Sequence, residues 1–116
     1  MQTGNRTRLY LNEVATRDGF QMEGRFIPTD DKVALIDRLS GLGYAKIEVT
    51  SFTSPKAIPA LADGETVMQR IRRHPGVVYT ALIPNQRARS RPRCLSTCRC
   101  RASSAARWKA RCRSRP

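Results

Sequence analysis

The stretch Glu13-Val14-Ala15-Thr16-Arg17-Asp18-Gly19-Phe20-Gln21-Met22-Glu23 decides how this 116-residue chain is interpreted. It follows an apolar-alternating run with Leu9 and Leu11, which predicts a short buried strand over residues 9–14. The charged pair Arg17 and Asp18 therefore falls where a strand gives way to a loop. Proteins built on parallel strands place their functional groups at this end of the strands. The stretch is thus a candidate functional position.

Outward from this stretch, strand and helix patterns alternate up to residue 85. Thr29 is a plausible N-cap, Asp30 and Asp31 suit the first turn of a helix, and Gly41 and Gly43 stop that helix. Further predicted elements are a strand over 46–52, a helix over 65–74 and a strand over 77–83. The order strand-helix-strand-helix-strand, with nearly continuous apolar strands, predicts an α/β fold with a parallel sheet. It is the opening of either a barrel or a doubly wound sheet.

The first predicted helix has two faces. Apolar residues recur at helical spacing on one of them, which we expect to pack on the sheet. That face carries Val33, Ile36, Leu39 and, at the end of the series, Leu42, while Lys32, Asp37 and Arg38 take the other face.

Glu48 lies inside the apolar run of the second predicted strand, between Ile47 and Val49. A carboxylate at such a position must be buried and paired, or must face a polar site. We therefore expect it to have a functional role.

Arg17 and Asp18 allow two interpretations. They are a surface ion pair after a strand, which is common and weak, or they form part of a site. In the second case the aspartate coordinates a divalent cation and the arginine stabilises negative charge that develops on an oxygen.

Three other polar residues are weaker candidates. His74 is predicted to complement the dipole at the end of the second helix rather than to act in catalysis. Ser51 has no basic neighbour in the sequence that would make it a nucleophile. Lys56 either steers an anionic substrate or is a solvated surface lysine. Neither of the two common Gly-rich phosphate-binding motifs is present.

The formal charge of +13 is concentrated at the end of the chain. Residues 86–116 hold 11 of the 22 basic residues, all four cysteines and no acidic residue. This tail has too few large apolar residues to fold by itself, so we expect a domain over 1–85 followed by a disordered tail over 86–116. Three origins remain open for the tail: a frameshifted or truncated gene model, a basic segment that binds nucleic acid, or a zinc-binding segment with unusual cysteine spacing.

The sequence also bears on cellular location. The first 85 residues lack cysteine, and no apolar run approaches the roughly 18 residues that span a bilayer. The N-terminus carries positive charge with no apolar run behind it. We therefore expect no signal peptide and a cytoplasmic location.

Two blocks of the chain resemble a known family. Arg17-Asp18-Gly19-Phe20-Gln21-Met22-Glu23 marks metal-dependent acyl-CoA lyases and synthases built on a (β/α)8 barrel. Ile47-Glu48-Val49-Thr50-Ser51-Phe52-Thr53-Ser54-Pro55-Lys56 points to the hydroxymethylglutaryl-CoA lyase branch. The resemblance runs from about Leu9 to Asn85 and includes Leu82-Ile83-Pro84-Asn85. It implies the N-terminal β-α-β-α-β portion of a TIM barrel, incomplete in this chain.

The resemblance implies a retro-Claisen cleavage of 3-hydroxy-3-methylglutaryl-CoA to acetyl-CoA and acetoacetate, assisted by Mg²⁺ or Mn²⁺. Asp18 would be a metal ligand, Arg17 would stabilise the enolate of acetyl-CoA, and Glu48 would hold the hydrogen bonds around them. Gln21 and Ser51, together with Arg17, would contact the substrate. The family further implies homodimers, an acyl-CoA substrate and a place in leucine degradation and ketone-body metabolism.

The chain departs from the family pattern in the groups that complete the site. Such lyases add a His-x-His pair, an asparagine and a Gly-rich loop with a cysteine, and these motifs are absent from this sequence. We therefore expect the chain by itself to be inactive.

Overall fold

The computed structural model describes residues 7–84, 98–103 and 107–112. Five strands and two α-helices make up the described regular structure. They are β1 (Asn12–Glu13), α1 (Thr29–Ser40), β2 (Lys46–Ser51), α2 (Gly64–Arg70), β3 (Val78–Ile83), β4 (Cys98–Ser103) and β5 (Arg107–Cys112), with a π-helical turn at Ala15–Gly19 and a 3-10 turn at Pro59–Leu61. No helix in these ranges is long and apolar enough to cross a membrane.

The sheet has the strand order β1-β2-β3-β5-β4. β1, β2 and β3 are parallel neighbours, and α1 and α2 connect them in sequence. The predicted order of strands and helices, and the α/β class, are therefore confirmed. β5 pairs antiparallel with β3, and β4 pairs antiparallel with β5.

The hydrophobic core lies between the two helices and one face of the parallel strands. It is formed by side chains that are spaced every three or four residues on the helices and that alternate on the strands. Its members are Val33, Ile36, Ile47, Val49, Val67, Met68, Ile71, Val77, Tyr79 and Ile83. The opposite face of β2 and β3 carries the polar residues Glu48, Ser51 and Thr80 beside Leu82.

A register shift in β2 sets which polar residues share that opposite face. Glu48 pairs with Thr80 and Ser51 pairs with Leu82, with a bulge between residues 48 and 50. Because Thr80 and Leu82 are two residues apart, they lie on one face, and their partners Glu48 and Ser51 do so as well. Without the bulge, Glu48 and Ser51 would point to opposite faces.

The prediction of a buried first strand over 9–14 was wrong in length and in burial. β1 has only two residues, and Leu9, Tyr10 and Leu11 are exposed. Within the described ranges β1 pairs with β2 alone, so a single neighbour covers it.

The second helix was predicted too long. It ends at Arg70, because Ile71 takes an extended conformation with ψ 144°. His74 therefore does not complement the helix end, and its backbone N–H instead donates to the Tyr79 hydroxyl at 2.8 Å. Leu42 likewise lies beyond the end of α1 and is exposed.

Lys32 was assigned to the outer face of α1, and this was wrong. Its side chain is 4% exposed, and Nζ donates to Asp63 Oδ1 and to the Ala60 carbonyl, both at 2.6 Å. The Phe26 ring lies 4.3 Å from Nζ. Thr29 is the first helical residue rather than the N-cap, and its hydroxyl donates to Asp63 Oδ2 at 2.7 Å. A buried ion pair thus joins α1 to the segment before α2.

The predicted tail is described only in part. Its two described segments are the strands β4 and β5, and basic residues occupy every second position of β5, the two-residue period typical of strands. The prediction of disorder covers residues 86–116, and apart from β4 and β5 these residues lie outside the described ranges. The three interpretations of its origin stay predictions.

Candidate functional site at the strand ends

A π-helical turn over Ala15–Gly19 follows β1 and carries the first predicted site residues. The carbonyl of Val14 accepts hydrogen bonds from the backbone N–H groups of Arg17 at 3.1 Å and Asp18 at 2.8 Å. Single π turns are rare and frequently occur at functional sites. The turn brings Arg17 over the end of the neighbouring strand β2.

Arg17, in the turn after β1, forms an ion pair with Glu48, in the middle of β2. Arg17 Nε donates to Glu48 Oε1 at 2.7 Å. The Arg17 side chain is 20% exposed, whereas that of Glu48 is 3% exposed. Of the two alternatives predicted for Glu48, the structure shows burial with a partner, and the guanidinium that pairs with it remains partly accessible from outside. Its functional role stays a prediction.

Asp18 lies at the outer side of the same pair. Its Oδ1 accepts a hydrogen bond from Arg17 Nη1 at 3.1 Å, and its side chain is 59% exposed. Such a position is compatible with an exposed ion pair, and its carboxylate is also accessible to a ligand. Both interpretations of the Arg-Asp pair therefore stay open from geometry alone.

Ser51 and Gln21 are placed differently. Ser51 is buried, shares the face of Glu48, and its hydroxyl is hydrogen-bonded to that of Thr53 at 2.6 Å. Gln21 is exposed and lines a surface cavity of about 290 Å³ between the two loops that follow β1 and β2. Lys56 is exposed as well, so the structure does not choose between its two interpretations.

Two threonines next to Glu48 were missed by the sequence analysis. Thr16 is buried, and its hydroxyl donates to the Glu48 carbonyl oxygen at 2.8 Å. Thr80 is buried opposite Glu48 on β3, and its hydroxyl has no hydrogen-bond partner in the part of the chain that the structure describes. Threonine is common in strands and turns, so nothing in the sequence distinguished these two.

Glu13 anchors the start of the turn. Its Oε1 accepts from the backbone N–H groups of Val14 at 2.9 Å and Ala15 at 2.7 Å. A hydrogen bond between Glu13 and the Tyr44 hydroxyl, together with the negative charge of Glu13 and some burial, raises the pKa of Tyr44 above 10.0. The carboxylate thus links the turn to the chain segment that enters β2.

The described residues do not make a complete metal site. Among them, no three His, Cys, Asp or Glu side chains are grouped so that they could hold an ion. Mg²⁺ and Mn²⁺ take about six ligands, mainly oxygen atoms. Asp18 could supply one of these, whereas Glu48 is engaged by Arg17. The donor set present therefore does not fit a closed site.

Comparison with known proteins gives consistent results. No family model matches the chain. It is 49% identical over 80 residues to the hydroxymethylglutaryl-CoA lyase YngG of Bacillus subtilis, an alignment that covers 69% of this chain and 27% of that lyase. It is 45% identical over 80 residues to the mitochondrial lyase of Rattus norvegicus, which covers 69% of this chain and 25% of the relative.

Solved structures agree with this result. A lyase from Acinetobacter baumannii, in complex with coenzyme A and 3-methylmalate, superposes with a TM-score of 0.68 at 50% identity, covering 69% of this chain and 26% of that one. The Bacillus subtilis lyase has a TM-score of 0.68 at 48% identity and covers 70% of this chain and 27% of its own.

The described part is an α/β segment with parallel strands that matches the N-terminal portion of TIM-barrel structures of hydroxymethylglutaryl-CoA lyases. The N-terminal part of the chain is related to the hydroxymethylglutaryl-CoA lyases, which are carbon-carbon lyases. The chain spans about a quarter of the length of the curated relatives it matches. The alternative of a nucleic-acid-binding protein receives no support from these relatives.

Proposed function

We propose that the N-terminal part of the chain carries the arginine half of a lyase site for 3-hydroxy-3-methylglutaryl-CoA. The products would be acetyl-CoA and acetoacetate. The observation that carries the proposal is the Arg17–Glu48 ion pair, which joins the turn after β1 to the middle of the adjacent parallel strand β2, in a chain 49% identical to a lyase over 80 residues.

The reaction breaks one carbon-carbon bond of a tertiary alcohol. A base removes the hydroxyl proton, the alcohol carbon becomes the ketone of acetoacetate, and the bonding electron pair leaves as the enolate of acetyl-CoA, which then takes up a proton. Arg17 is the cation placed for the enolate oxygen, and a preorganised cation at that position lowers the barrier. Two of its nitrogens bind Glu48 and Asp18, so Nη2 is the one that we assign to the substrate.

The remaining site residues have supporting roles in this proposal. Glu48 fixes the plane of the Arg17 guanidinium, because a buried carboxylate bound to Nε restricts its rotation. Gln21 and Ser51 bind the substrate from the loop and from the bulged strand. Arg17 and Glu48 are thus the catalytic pair, with Arg17, Gln21 and Ser51 as substrate-binding residues.

A divalent metal ion, Mg²⁺ or Mn²⁺, belongs to the proposed reaction, with Asp18 as its ligand in this chain. Since the described residues do not complete that site, we assign no chemical step to the metal here and expect no turnover from this chain alone. We further propose an acyl-CoA substrate, a homodimer for full-length relatives and a cytoplasmic location. The chain would be divided into a lyase segment over 1–85 and a tail over 86–116.

A chimera tests the proposal. Residues 9–84 of this chain replace the matching segment of the Bacillus subtilis lyase, and acetoacetate formation is measured with Mg²⁺. We expect an active chimera, in which Arg17→Met lowers kcat by roughly 10²–10³-fold. Arg25→Met is the matched control, since Arg25 is an exposed arginine in the same loop. A folded but inactive chimera, or equal effects of the two substitutions, contradicts the proposal.

The proposed division of the chain has its own test. Sequencing the gene beyond the codon for Asn85 and translating all three frames shows whether another frame encodes a His-x-His motif. Its presence would assign the tail to a frameshift. Its absence would leave the tail as a genuine segment of the protein.

A further inference from the structure

Two adjacent residues of the π-helical turn bind the same residue of β2. Thr16 Oγ1 donates to the backbone carbonyl of Glu48 at 2.8 Å, and Arg17 Nε donates to its carboxylate at 2.7 Å. Thr16 is buried and Glu48 is 2% exposed. Thr16 therefore holds the backbone of Glu48, and Arg17 holds its side chain.

The Thr16 hydroxyl takes the place of a backbone hydrogen bond. The pairing of β1 with β2 ends at Glu13 opposite Ile47, one residue before Glu48. Beyond that point the chain leaves the sheet, and the Glu48 carbonyl is buried beside the turn instead of beside a strand. Buried carbonyl groups need a donor, and the Thr16 hydroxyl supplies it.

The Thr16 contact fastens the middle of the turn to β2, whereas the backbone hydrogen bonds of Arg17 and Asp18 to Val14 lie within the turn. Its start is fixed by Glu13, whose carboxylate accepts from Val14 and Ala15. Surface loops are otherwise mobile, and an arginine side chain loses considerable rotamer freedom when it is held in one geometry. Because Thr16 precedes Arg17 and is bonded to β2, less conformational freedom of the Arg17 backbone is lost when the ion pair forms.

We propose that Thr16 is a positioning residue, which holds the turn so that Arg17 Nε faces Glu48. Thr16 acts through its hydroxyl rather than through its bulk. This inference rests on the proposed function for its meaning, since it assigns Thr16 to the preparation of the arginine that would meet the enolate. The arrangement itself is measurable without substrate or metal.

The test is nuclear magnetic resonance of the whole chain with ¹⁵N-labelled arginine. The Nε–H signal of Arg17 is assigned from its disappearance in Arg17→Lys, and its exchange with solvent is then measured. Thr16→Val removes the hydroxyl at nearly constant volume, and Thr16→Ser keeps it. We expect Thr16→Val to exchange about fivefold faster, the effect of losing one ordinary hydrogen bond, and Thr16→Ser to match the wild type.

Thr29→Val is the matched control. Thr29 Oγ1 also donates a single side-chain hydrogen bond, to Asp63 at 2.7 Å, but away from Arg17. It should lower the stability of the fold to a similar extent and leave the Arg17 signal unchanged. An equal response to Thr16→Val and Thr29→Val would overturn the proposal, as would rapid exchange of Arg17 in the wild type.

A second variant covers the case in which Thr16→Val does not fold. Thr16→Ala removes the hydroxyl without placing a methyl group against the Glu48 carbonyl, and it should show the same faster exchange. If both variants unfold while Thr29→Val stays folded, Thr16 is required for folding in general and the positioning role is refuted. Loss of lyase activity in the chimera would bear on the proposed function and not on this exchange measurement.

Discussion

Removing the Lys32 ammonium should destabilise the protein far more than removing an exposed lysine does, because Lys32 is buried although helical periodicity assigns it to the polar face of α1. The Lys32 and Asp63 side chains are 4% and 13% exposed, and Nζ lies 2.6 Å from Oδ1. Lys32→Met keeps most of the volume but removes the charge that faces the Asp63 carboxylate, which keeps the hydrogen bond from the Thr29 hydroxyl. It also leaves the Ala60 carbonyl without its donor. Breaking a buried ion pair from one side costs about 3–5 kcal/mol.

Urea denaturation followed by circular dichroism measures this effect. With a slope of about 2 kcal/mol per molar urea, the expected loss moves the midpoint down by about 2 M. Arg70→Met is the matched control, because Arg70 pairs with Asp30 between the same two helices but both side chains are well exposed. It should cost at most about 1 kcal/mol.

Adding Asp63→Ala to Lys32→Met should recover part of the loss, since it removes the buried unpaired charge. If Lys32→Met costs no more than Arg70→Met, the ion pair is solvated and this reasoning fails.

Three further substitutions have definite expected outcomes. Glu13→Gln should lower the pKa of Tyr44 toward 10.0, which is measured as phenolate absorbance at lower pH. Because folding raises this pKa, the Glu13–Tyr44 contact contributes its full stability to the fold below about pH 10, and this contribution is lost as the pH rises through the folded-state pKa. Gly64→Ala would place its Cβ 2.7 Å from the Thr50 hydroxyl, so a net loss of about 1 kcal/mol is expected, relieved by Thr50→Ala. Tyr79→Phe removes a fully buried hydroxyl that makes short hydrogen bonds, and should cost about 1–2 kcal/mol in thermal unfolding without changing the fold.

Local sequence patterns predicted the elements that depend on local forces. The start and end of α1 follow from the acidic first turn and from Gly41, and the central strands follow from runs of β-branched residues. That Glu48 is either buried and paired or faces a polar site was predictable, because a nearly continuous apolar run indicates a strand covered on both faces. Each of these inferences uses residues that are close together in the chain.

The errors at Lys32, in β2 and in the first strand concern contacts between distant residues. Lys32 is buried because Asp63 and Ala60, about thirty residues away, satisfy its ammonium group, and helical periodicity alone cannot show that. The bulge in β2 depends on pairing with β3, so the common face of Glu48 and Ser51 was also hidden. The exposure of the first strand depends on which neighbours it has, and a strand pattern does not specify them.

Two ion pairs connect the same two β-α units at different depths. Arg17–Glu48 joins the turn after β1 to β2, and Lys32–Asp63 joins the first helix to the segment before α2. The apolar core lies on the other face of β2 and β3, between sheet and helices, so it fixes the helices but not the loops at the strand ends. Buried ion pairs add little net stability, yet they tolerate few alternative geometries. The two charge pairs, together with the Thr16–Glu48 hydrogen bond, therefore set the relative position of the two loops, and with it the position of the candidate site.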